Sequence, residues 1–500
     1  MDRRGFFKLI GVGSATAALG ALGCAEATHI AQPAPEDTGA KLLGVSGVSF
    51  SATCDVLVVG SGIAGLSAAM DPSEAGLKVI VADKNTLLGG ESYESSGMLQ
   101  VYGAKIQKGV GSPKTSGDLF QERKEAFAER YPDAQISAEA LLEAICAQRS
   151  VWVDRMVDTY HAQFWDPNDY VDDGIDQSIL IPQSGLGGLD GIMNPMRDQL
   201  AAQGVEYLLG QELQAFITDG AGALCGARFF SPDSLAFTDV KASKIVLATG
   251  GFAANQHLFA ENLPQLLHMG CWTSLSDGIA MQLAQRIGAA TMNLDLAPDL
   301  LGDIPLADTW GCFAPMVAVD PNARRFTRED QRYTVPNACF EQDLGYWWLI
   351  FDQQMSEGPQ SNSAAKTLEA YASRHVGPCE SVEELAEAMG IDGDALKKSL
   401  SSYDKVCEEG TDEEFGRTAH LKKLAAPYHA VKQYPMRFRT VGGLHVNEQC
   451  QVLDGTGAPI AGLYAAGSCA AILSFGFLDN AASGLVAGSS IAQELATSAE

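Results

Sequence analysis

Short apolar runs separated by glycine-rich turns mark the chain from residue 53 onward. Residues 54–59 form one such run, as expected of a strand that is buried on both faces of a parallel sheet. Helix-forming residues follow at 66–70, and a second apolar run covers 79–82. This order predicts a strand, a helix and a second strand, with Pro72 expected to kink the helix or end it early.

The turn between the first strand and the helix carries Gly60, Gly62 and Gly65 in a G-x-G-x-x-G pattern. The first glycine permits a tight turn, the second lets the backbone approach a pyrophosphate, and the third lets the helix pack on the strand. The helix N-terminus offers N–H groups to the phosphates. Asp83 ends the second strand 18 residues after Gly65, where an acidic side chain can hold ribose hydroxyls. The pattern predicts dinucleotide binding.

A change of pattern between residues 299 and 439 predicts an inserted domain. Apolar residues there take helical spacing, as at Leu385, Met389, Leu396 and Leu400. Strand-like runs that close on glycines precede and follow this stretch, at 245–251 and 462–467. We therefore expect 53–298 and 440–500 to form one domain that 299–439 interrupts. The acidic run 408–414 is interpreted as a solvated loop.

Composition excludes several classes of function. A chain of 500 residues with 46% hydrophobic residues can build two cores. Its net charge of −28 repels phosphate backbones, so no nucleic-acid partner is expected. The eleven cysteines contain no CxxC pair, which argues against zinc ribbons and thioredoxin-type sites and favours isolated buried thiols.

The N-terminus is predicted to be an export signal. Arg3 and Arg4 precede an apolar run at 9–23, which is shorter than the ~20 residues that span a bilayer. This arrangement resembles a twin-arginine signal over 1–27. Cleavage after an A-x-A site at 25–27 is favoured, and a weak lipobox ending at Cys24 would instead attach the protein to the membrane surface. Residues 28–52 are predicted to be a linker.

Five further motifs carry a family resemblance across residues 53–500. They are Gly89-Gly90-Glu91-Ser92, Ser95-Ser96-Gly97, Asp277-Gly278, Arg325-Phe326-x-x-Glu329 and Thr440-Val441-Gly442-Gly443-Leu444. Together they resemble the flavoprotein family of fumarate reductases, succinate dehydrogenase flavoprotein subunits and ketosteroid dehydrogenases. The resemblance implies an α/β fold, in which an α+β capping domain is inserted into a Rossmann-like FAD-binding domain. It also implies non-covalent FAD, because no histidine lies between His29 and His161 to tether the flavin.

The resemblance implies a set of cofactor-binding residues from five parts of the chain. We expect contacts with FAD from Gly60, Gly62, Ala64, Gly65, Asp83, Lys84, Gly89, Gly90, Ser92, Ser96, Gly97, Thr249, Gly250, Asp277, Ser468 and Asn480.

The substrate groups of the fumarate reductases are replaced in this chain. Tyr333 stands eight residues after Arg325, where those enzymes have an arginine, and Arg439 stands where they have a histidine. Residues 440–500 contain neither arginine nor lysine, so a dicarboxylate would be poorly held. Ketosteroid dehydrogenases resemble the chain at Tyr333, which implies proton transfer there; the alternative is a core tyrosine. Arg439, or N–H groups around Gly442, would then polarise a carbonyl.

These replacements predict an exported reductase that transfers hydride from FAD to the C=C of an α,β-unsaturated carbonyl. Within the family the chain most resembles the bacterial cardiac glycoside reductases. That implies an unsaturated butyrolactone such as that of digoxin, a membrane cytochrome-type electron donor and a [4Fe–4S] cluster, although the cysteine spacing matches no ferredoxin pattern. A ketosteroid dehydrogenase, a reductase of a small unsaturated monocarboxylate with Arg439 as its only clamp, and an electron carrier without a substrate are alternatives. Five aromatic residues are interpreted as a substrate wall or as plain core: Trp310, Phe313, Tyr346, Trp347 and Trp348.

Overall fold

The computed structural model describes residues 42–499, with gaps at 96, 98, 108–113, 133, 135–137, 170–177, 184–188, 273–274, 305–315, 332, 355–367 and 473–475. The described chain forms two compact units. The large unit contains three segments of the chain. They are the described residues up to Leu267, those from 275 to Pro298, and those from Arg439 onward. The inserted unit contains His268–Trp272 and Asp299–Phe438. The sequence had assigned 268–272 to the flanking domain and Arg439 to the insertion.

Most of the strands are short, and the longest lie in the large unit. In chain order the strands are β1 (Leu43–Gly44), β2 (Ala52–Val59), β3 (Val79–Asp83), β4 (Leu99–Gln100), β5 (Ile179–Leu180), β6 (Glu206–Leu209), β7 (Glu212–Thr218), β8 (Leu224–Ser231), β9 (Ala236–Leu247), β10 (Thr291–Met292), β11 (Leu301–Gly302), β12 (Val317–Val319), β13 (Trp347–Asp352), β14 (His375–Cys379), β15 (Tyr428–Gln433), β16 (Pro435–Met436), β17 (Gly443–Leu444), β18 (Gln451–Leu453) and β19 (Pro459–Ala465).

Helices connect many of these strands in both units. They are α1 (Ile63–Glu74), α2 (Ser116–Arg130), α3 (Glu139–Asp158), α4 (Asp190–Ala202), α5 (Gln256–Asn262), α6 (Ile279–Arg286), α7 (Thr334–Glu341), α8 (Val382–Met389), α9 (Gly393–Glu409) and α10 (Phe477–Ala499). No helix in the described ranges is both long and apolar enough to cross a membrane.

A mixed sheet with a parallel core forms the centre of the large unit. Its strand order is β1-β7-β8-β9-β2-β3-β6, and β19 adds to β9. Four neighbouring strands run parallel, in the order β9, β2, β3 and β6. The apolar runs predicted this direction for β2 and β3. By contrast, β7, β8 and the first half of β9 form an antiparallel meander. Residues 463–465 of β19 pair with 245–247 of β9. The carboxyl ends of β2, β9 and β19 therefore lie side by side.

Helix α10 packs closely on α1. A Cβ added at Gly484 would lie 2.1 Å from the carbonyl oxygen of Ala64, and one at Gly488 would lie 2.6 Å from that of Ala68. Of the two effects expected of Pro72, a kink or an early end of α1, the early end is wrong, because the helix continues to Glu74. Pro72 cannot donate to the Ala68 carbonyl four residues earlier, and Gly488 of α10 covers that carbonyl instead.

The inserted unit has a four-stranded antiparallel sheet in the order β12-β13-β15-β14. Strand β13 is buried on both faces, so its alternating side chains enter two different cores. Trp347 belongs to one core and Trp348 to the other, and each is buried. For these two residues the core interpretation is the one that the structure supports; Trp310 and Phe313 lie outside the described residues.

A buried ionic network stabilises the same unit. Arg325 donates to both carboxylate oxygens of Glu329 at 2.9 Å and to Asp412 at 2.9 Å. Arg417, which is 1% exposed, donates to Glu329 at 3.1 Å. Two guanidinium groups thus face two carboxylates. The interpretation of 408–414 as a solvated loop is wrong at Asp412, which is buried.

Candidate functional site

The glycine turn between β2 and α1 has the geometry of a backbone cradle. Gly60 has a left-handed φ of 105°, and a Cβ added there would lie 2.3 Å from the carbonyl oxygen of Ala248. A Cβ at Gly65 would lie 1.9 Å from the carbonyl oxygen of Gly60. Gly62 caps the N-terminus of α1 without a side chain. Only glycine fits the first and third positions, as the sequence predicted.

Asp83 holds this turn together. Ser61 donates to one Asp83 oxygen from its backbone N at 2.7 Å and from its hydroxyl at 2.6 Å, and the backbone N of Asn85 donates to the other at 2.8 Å. Asp83 is buried. A carboxylate has about four lone-pair sites, so these three bonds leave acceptor capacity for a ribose hydroxyl. The structure adds Ser61 as the residue that fixes the orientation of Asp83.

The Gly/Ser stretch folds back onto the start of α1. The hydroxyl oxygen of Ser92 accepts from the backbone N of Ile63 at 2.9 Å, and the backbone N of Gly89 donates to the Ser61 hydroxyl at 3.0 Å. A Cβ added at Gly90 would meet open space. The stretch predicted to contact the cofactor therefore borders the predicted phosphate-binding turn. Gly97 lies a few residues further on, and Ser96 lies outside the described residues.

Two more of the predicted residues pair with each other. The Nζ of Lys84 lies 2.6 Å from Asp277, and it also donates to the backbone oxygen of Leu275 at 2.5 Å. Next to this pair, Glu91 accepts from the backbone N and the hydroxyl of Ser276 at 2.8 and 2.6 Å. Burial raises the pKa of Glu91, and the two bonds from Ser276 oppose that rise. The sequence missed the pairing of Glu91 with Ser276.

The carboxyl ends of β9 and β19 bring the remaining candidates together. The Thr249 hydroxyl lies 3.5 Å from the Cys469 sulfur, next to Ser468. A Cβ added at Gly467 would lie 2.7 Å from the Cβ of Ala64 and 3.7 Å from the amide oxygen of Asn480. Gly250 lies against Ser276, since a Cβ there would lie 2.7 Å from its hydroxyl. Segments that are far apart in sequence thus meet at the carboxyl end of the sheet.

These contacts fit FAD, and the iron–sulfur cluster that the resemblance implies stays a prediction. The backbone cradle, the N-terminus of α1 and the acid at the end of β3 are the groups that bind a dinucleotide. The nine cysteines in the described ranges are all free thiols. The described residues contain no cluster of three or more His, Cys, Asp or Glu side chains that could hold a metal ion.

Tyr333 has an unusual backbone conformation in the inserted unit. Its φ of 70° and ψ of −10° are left-handed, and it forms the N-cap of α7. Bulky residues rarely adopt this conformation, which costs of order 1–3 kcal/mol and occurs mainly where the surroundings impose it. The half-buried ring stacks on Phe438, with 5.8 Å between ring centroids. Sequence spacing identified the residue but not its conformation.

Arg439 lies in the large unit, which also contains a cluster of charged side chains that the sequence did not indicate. Arg149 forms an ion pair with Asp479, and Arg123 lies 3.7 Å from the same carboxylate. Burial lowers the pKa of Arg123, Asp479 opposes this effect, and the positive charges of Arg149 and Arg439 add to it. The sequence analysis missed Arg123, Arg149 and Asp479. One signal was available, because Arg149 occupies the apolar stripe of α3 between Cys146 and Trp152.

The fold and the site define a flavin-dependent oxidoreductase with an inserted second unit. Residues 55–485 match the model of the FAD binding domain family, and the chain belongs to that family. It is 29% identical over 429 residues to a probable fumarate reductase of Shewanella frigidimarina, with 83% of this chain and 70% of the relative covered. It is 26% identical over 437 residues to a urocanate reductase of Eggerthella lenta, with 83% and 69% covered.

A second Eggerthella lenta relative and two solved structures extend the comparison. The digoxin reductase of that organism is 24% identical over 532 residues, with 93% of this chain and 91% of the relative covered. The open conformation of a flavocytochrome c3 fumarate reductase matches with a TM-score of 0.71 and 24% identity, covering 90% of this chain and 80% of the other. A 3-ketosteroid-Δ4-(5α)-dehydrogenase of Rhodococcus jostii matches with a TM-score of 0.71 and 23% identity, covering 90% and 99%. The chain is an FAD-dependent oxidoreductase with the predicted fold.

Proposed function

We propose that this protein reduces the C=C bond of an α,β-unsaturated carbonyl compound. The observation that carries the proposal is the left-handed backbone of Tyr333 at the start of α7. A conformation that the fold must impose on a bulky residue is typical of functional sites. The names of the relatives support the same reaction class, since they include reductases of urocanate, acrylate and digoxin.

The proposed chemistry divides between the cofactor and the chain. FAD that is bound in the large unit and reduced by the electron donor would supply the hydride for the β-carbon of the substrate. The Tyr333 hydroxyl delivers a proton to the α-carbon, which is feasible for a phenol of ordinary pKa about 10 because the enolate that accepts the proton is far more basic. Arg439, or backbone N–H groups around Gly442, stabilise the negative charge that develops on the carbonyl oxygen.

Two substrate classes are compatible with this chemistry. The resemblance to the digoxin reductase supports a neutral unsaturated lactone. The relatives named as urocanate and acrylate reductases support a small unsaturated acid. We also propose a cytochrome-type electron donor, in line with relatives named fumarate reductase (cytochrome).

The test is anaerobic turnover of the purified FAD-loaded protein with a reduced viologen as electron donor. The substrates are an unsaturated lactone, an arylacrylate, and the saturated counterpart of each as a control. We expect viologen oxidation and formation of a saturated product with at least one unsaturated compound. Turnover only with an oxidised dye and a saturated ketosteroid would instead identify a dehydrogenase. A flavin spectrum that no candidate substrate perturbs would identify an electron carrier.

A further inference from the structure

Residues 275–277 of the large unit are tied to the loop that follows β9, and we call them the strap. The backbone N of Ala254 in that loop donates to the carbonyl oxygen of Ser276 at 3.0 Å. The side-chain amide of Asn255 donates to the carbonyl oxygen of Asp277 at 2.7 Å. Both bonds reach the backbone of the strap, so they fix its main chain on this side.

The segment that follows β3 holds the strap from the other side. The Nζ of Lys84 pairs with the carboxylate of Asp277 at 2.6 Å and donates to the carbonyl oxygen of Leu275 at 2.5 Å. Glu91 accepts from the backbone N and the hydroxyl of Ser276 at 2.8 and 2.6 Å. Each of the three residues of the strap therefore has a polar contact with this segment.

The two sides of the strap flank the strand that leads into the glycine turn. In the sheet β2 lies between β9 and β3, and Val59 at its end pairs with Leu247 of β9 and with Ala82 of β3. Neighbouring strands are about 4.8 Å apart, so β9 and β3 are about 9.6 Å apart. Three extended residues span about 10 Å. The strap thus has the length needed to bridge the two flanking loops across the carboxyl end of β2, where the turn 60–65 begins.

The strap is fixed by packing at its C-terminal end and by polar contacts on the β3 side. Gly278 follows it with a left-handed φ of 69°, and a Cβ there would lie 2.8 Å from the Cβ of Phe252, which is buried. This end cannot move without disturbing the core. The side chains of Lys84 and Asp277, by contrast, are each 33% exposed, and exposed ion pairs add little stability. The contacts that break most easily are therefore those on the β3 side.

We propose that the strap retains FAD at the glycine turn, and that Glu91 is the positioning residue that keeps the strap closed. The two bonds from Ser276 reach a carboxylate, so they are charge-assisted and stronger than bonds between neutral groups. FAD leaves the turn only when the strap opens on the β3 side, and the bonds to Glu91 set how often that occurs. The inference concerns the cofactor and does not depend on the reaction proposed above.

The test follows the release of FAD from the purified holoprotein after dilution into flavin-free buffer, by the rise in flavin fluorescence. Glu91→Ala removes both acceptor oxygens, and we expect release to become about 10- to 100-fold faster. Ser276→Ala removes the hydroxyl but keeps the backbone bond, so release should become about 3- to 10-fold faster. Glu91→Gln keeps one oxygen that can accept from the backbone N of Ser276, and it should recover part of the retention.

Asp118 of the large unit provides the matched control. Its carboxylate accepts from the backbone N and the hydroxyl of Thr115 at 2.6 and 2.7 Å, which is the same pair of bonds at the exposed start of α2. Asp118→Ala should lower the melting temperature slightly, because a helix cap is lost, and it should leave FAD release unchanged.

Unchanged FAD release from both Glu91→Ala and Ser276→Ala would overturn the inference, and so would an equal acceleration in Asp118→Ala. If Glu91→Ala does not fold, Ser276→Ala decides alone, since it removes a single hydroxyl. A lower melting temperature of the apoprotein with FAD release at the unaltered rate would show that the bonds only stabilise the fold, which also rejects a closed strap. The measurement uses no substrate, so it gives the same answer whether or not the protein reduces an unsaturated compound.

Discussion

At the scale of single residues, the Tyr333 hydroxyl is the group on which the proposed reaction depends most. Tyr333→Phe keeps the stacking on Phe438 and removes only the proton donor. General acids contribute about 10²- to 10⁴-fold, so we expect turnover of the unsaturated substrate to fall by that factor while FAD stays bound. The measurement is anaerobic turnover, paired with a melting curve.

Tyr428→Phe is the matched control, because it removes the hydroxyl of another half-buried tyrosine of the inserted unit. It should leave turnover unchanged. If Tyr333→Phe turned over normally and lost only about 1 kcal/mol of stability from a missing hydrogen bond, Tyr333 would be a core residue and proton delivery would pass to Arg439.

The glycine turn could be predicted from the residue types in the sequence. The contacts of the charged side chains around that turn could not. Gly60 and Gly65 could be predicted because steric exclusion of a Cβ is local and leaves a fixed spacing. The partners of Asp83 and Lys84 depend on which loops meet at the carboxyl end of the sheet. The order of residues in one sequence does not indicate which loops these are. Asp412 was misassigned for the same reason, since its partner Arg325 lies 87 residues away.

At the scale of elements, the contact between α1 and α10 leaves no room for side chains. Gly484→Ala would place a Cβ 2.1 Å from the Ala64 carbonyl oxygen, so one helix must shift. Overpacking of this kind typically costs about 1–3 kcal/mol, and a shift of α1 would also disturb the N-terminus that the phosphates need. We expect a lower melting temperature and weaker FAD retention on gel filtration. Gly117→Ala on α2 should change neither, because the nearest atom would be 3.5 Å away; equal behaviour of the two variants would contradict a tight helix contact.

A chain of hydrogen bonds links two strands of the inserted unit. His429 Nε2 lies 2.6 Å from the amide oxygen of Gln353, and His429 Nδ1 lies 3.0 Å from His375 Nε2. Since the amide oxygen only accepts, Nε2 of His429 carries a proton and Nδ1 accepts from His375. In this arrangement His429, which accepts at Nδ1, is neutral. Burial lowers the pKa of both histidines, and for His429 the neighbouring His375 adds to this effect while Asp352 opposes it.

The inserted unit should therefore lose stability as the pH falls. The unfolded histidines, with an ordinary pKa near 6.5, bind protons that the folded pair resists, so the unfolding free energy rises with pH across roughly 5.5 to 7. Melting temperatures measured over this range should show the slope. His375→Phe should flatten it, whereas His257→Gln, at an exposed histidine of the large unit, should not. An unchanged slope in His375→Phe would show that other groups cause the pH dependence.

At the scale of the whole molecule, apolar runs predicted the parallel core strands, whereas the short strands were beyond prediction. The buried parts of β2, β3 and β9 are covered on both faces, so their sequences are continuous runs of apolar residues. Two-residue strands such as β10 and β17 pair only because segments far apart in sequence meet. Two residues are too few to show the alternation of apolar and polar positions that predicts a strand. The change from strand-like apolar runs to helical spacing of apolar residues indicated the inserted unit. Its cis peptide bonds at Gly377–Pro378 and Ala426–Pro427 leave no pattern in the sequence that predicts them.

Export remains a prediction, because residues 1–27 lie outside the described residues. Replacing Arg3 and Arg4 together by lysine should retain the precursor, with its flavin, inside the cell. Lys8→Arg changes a neighbouring cation without altering the pair and should be exported normally. Fractionation followed by immunoblotting measures both. Normal export of the double variant would assign the N-terminal run to a different pathway.

The place of β19 beside β9 sets an order of events during synthesis. Strand β2 leaves the ribosome some 400 residues before β19, yet both border β9 at the flavin end of the sheet. The predicted export signal emerges before either strand. A translocation machinery that accepted this chain by its signal alone would take it before the flavin site existed. If the predicted twin-arginine signal directs export of the folded protein, its recognition would have to follow the pairing of β19 with β9, on which the flavin end of the sheet depends.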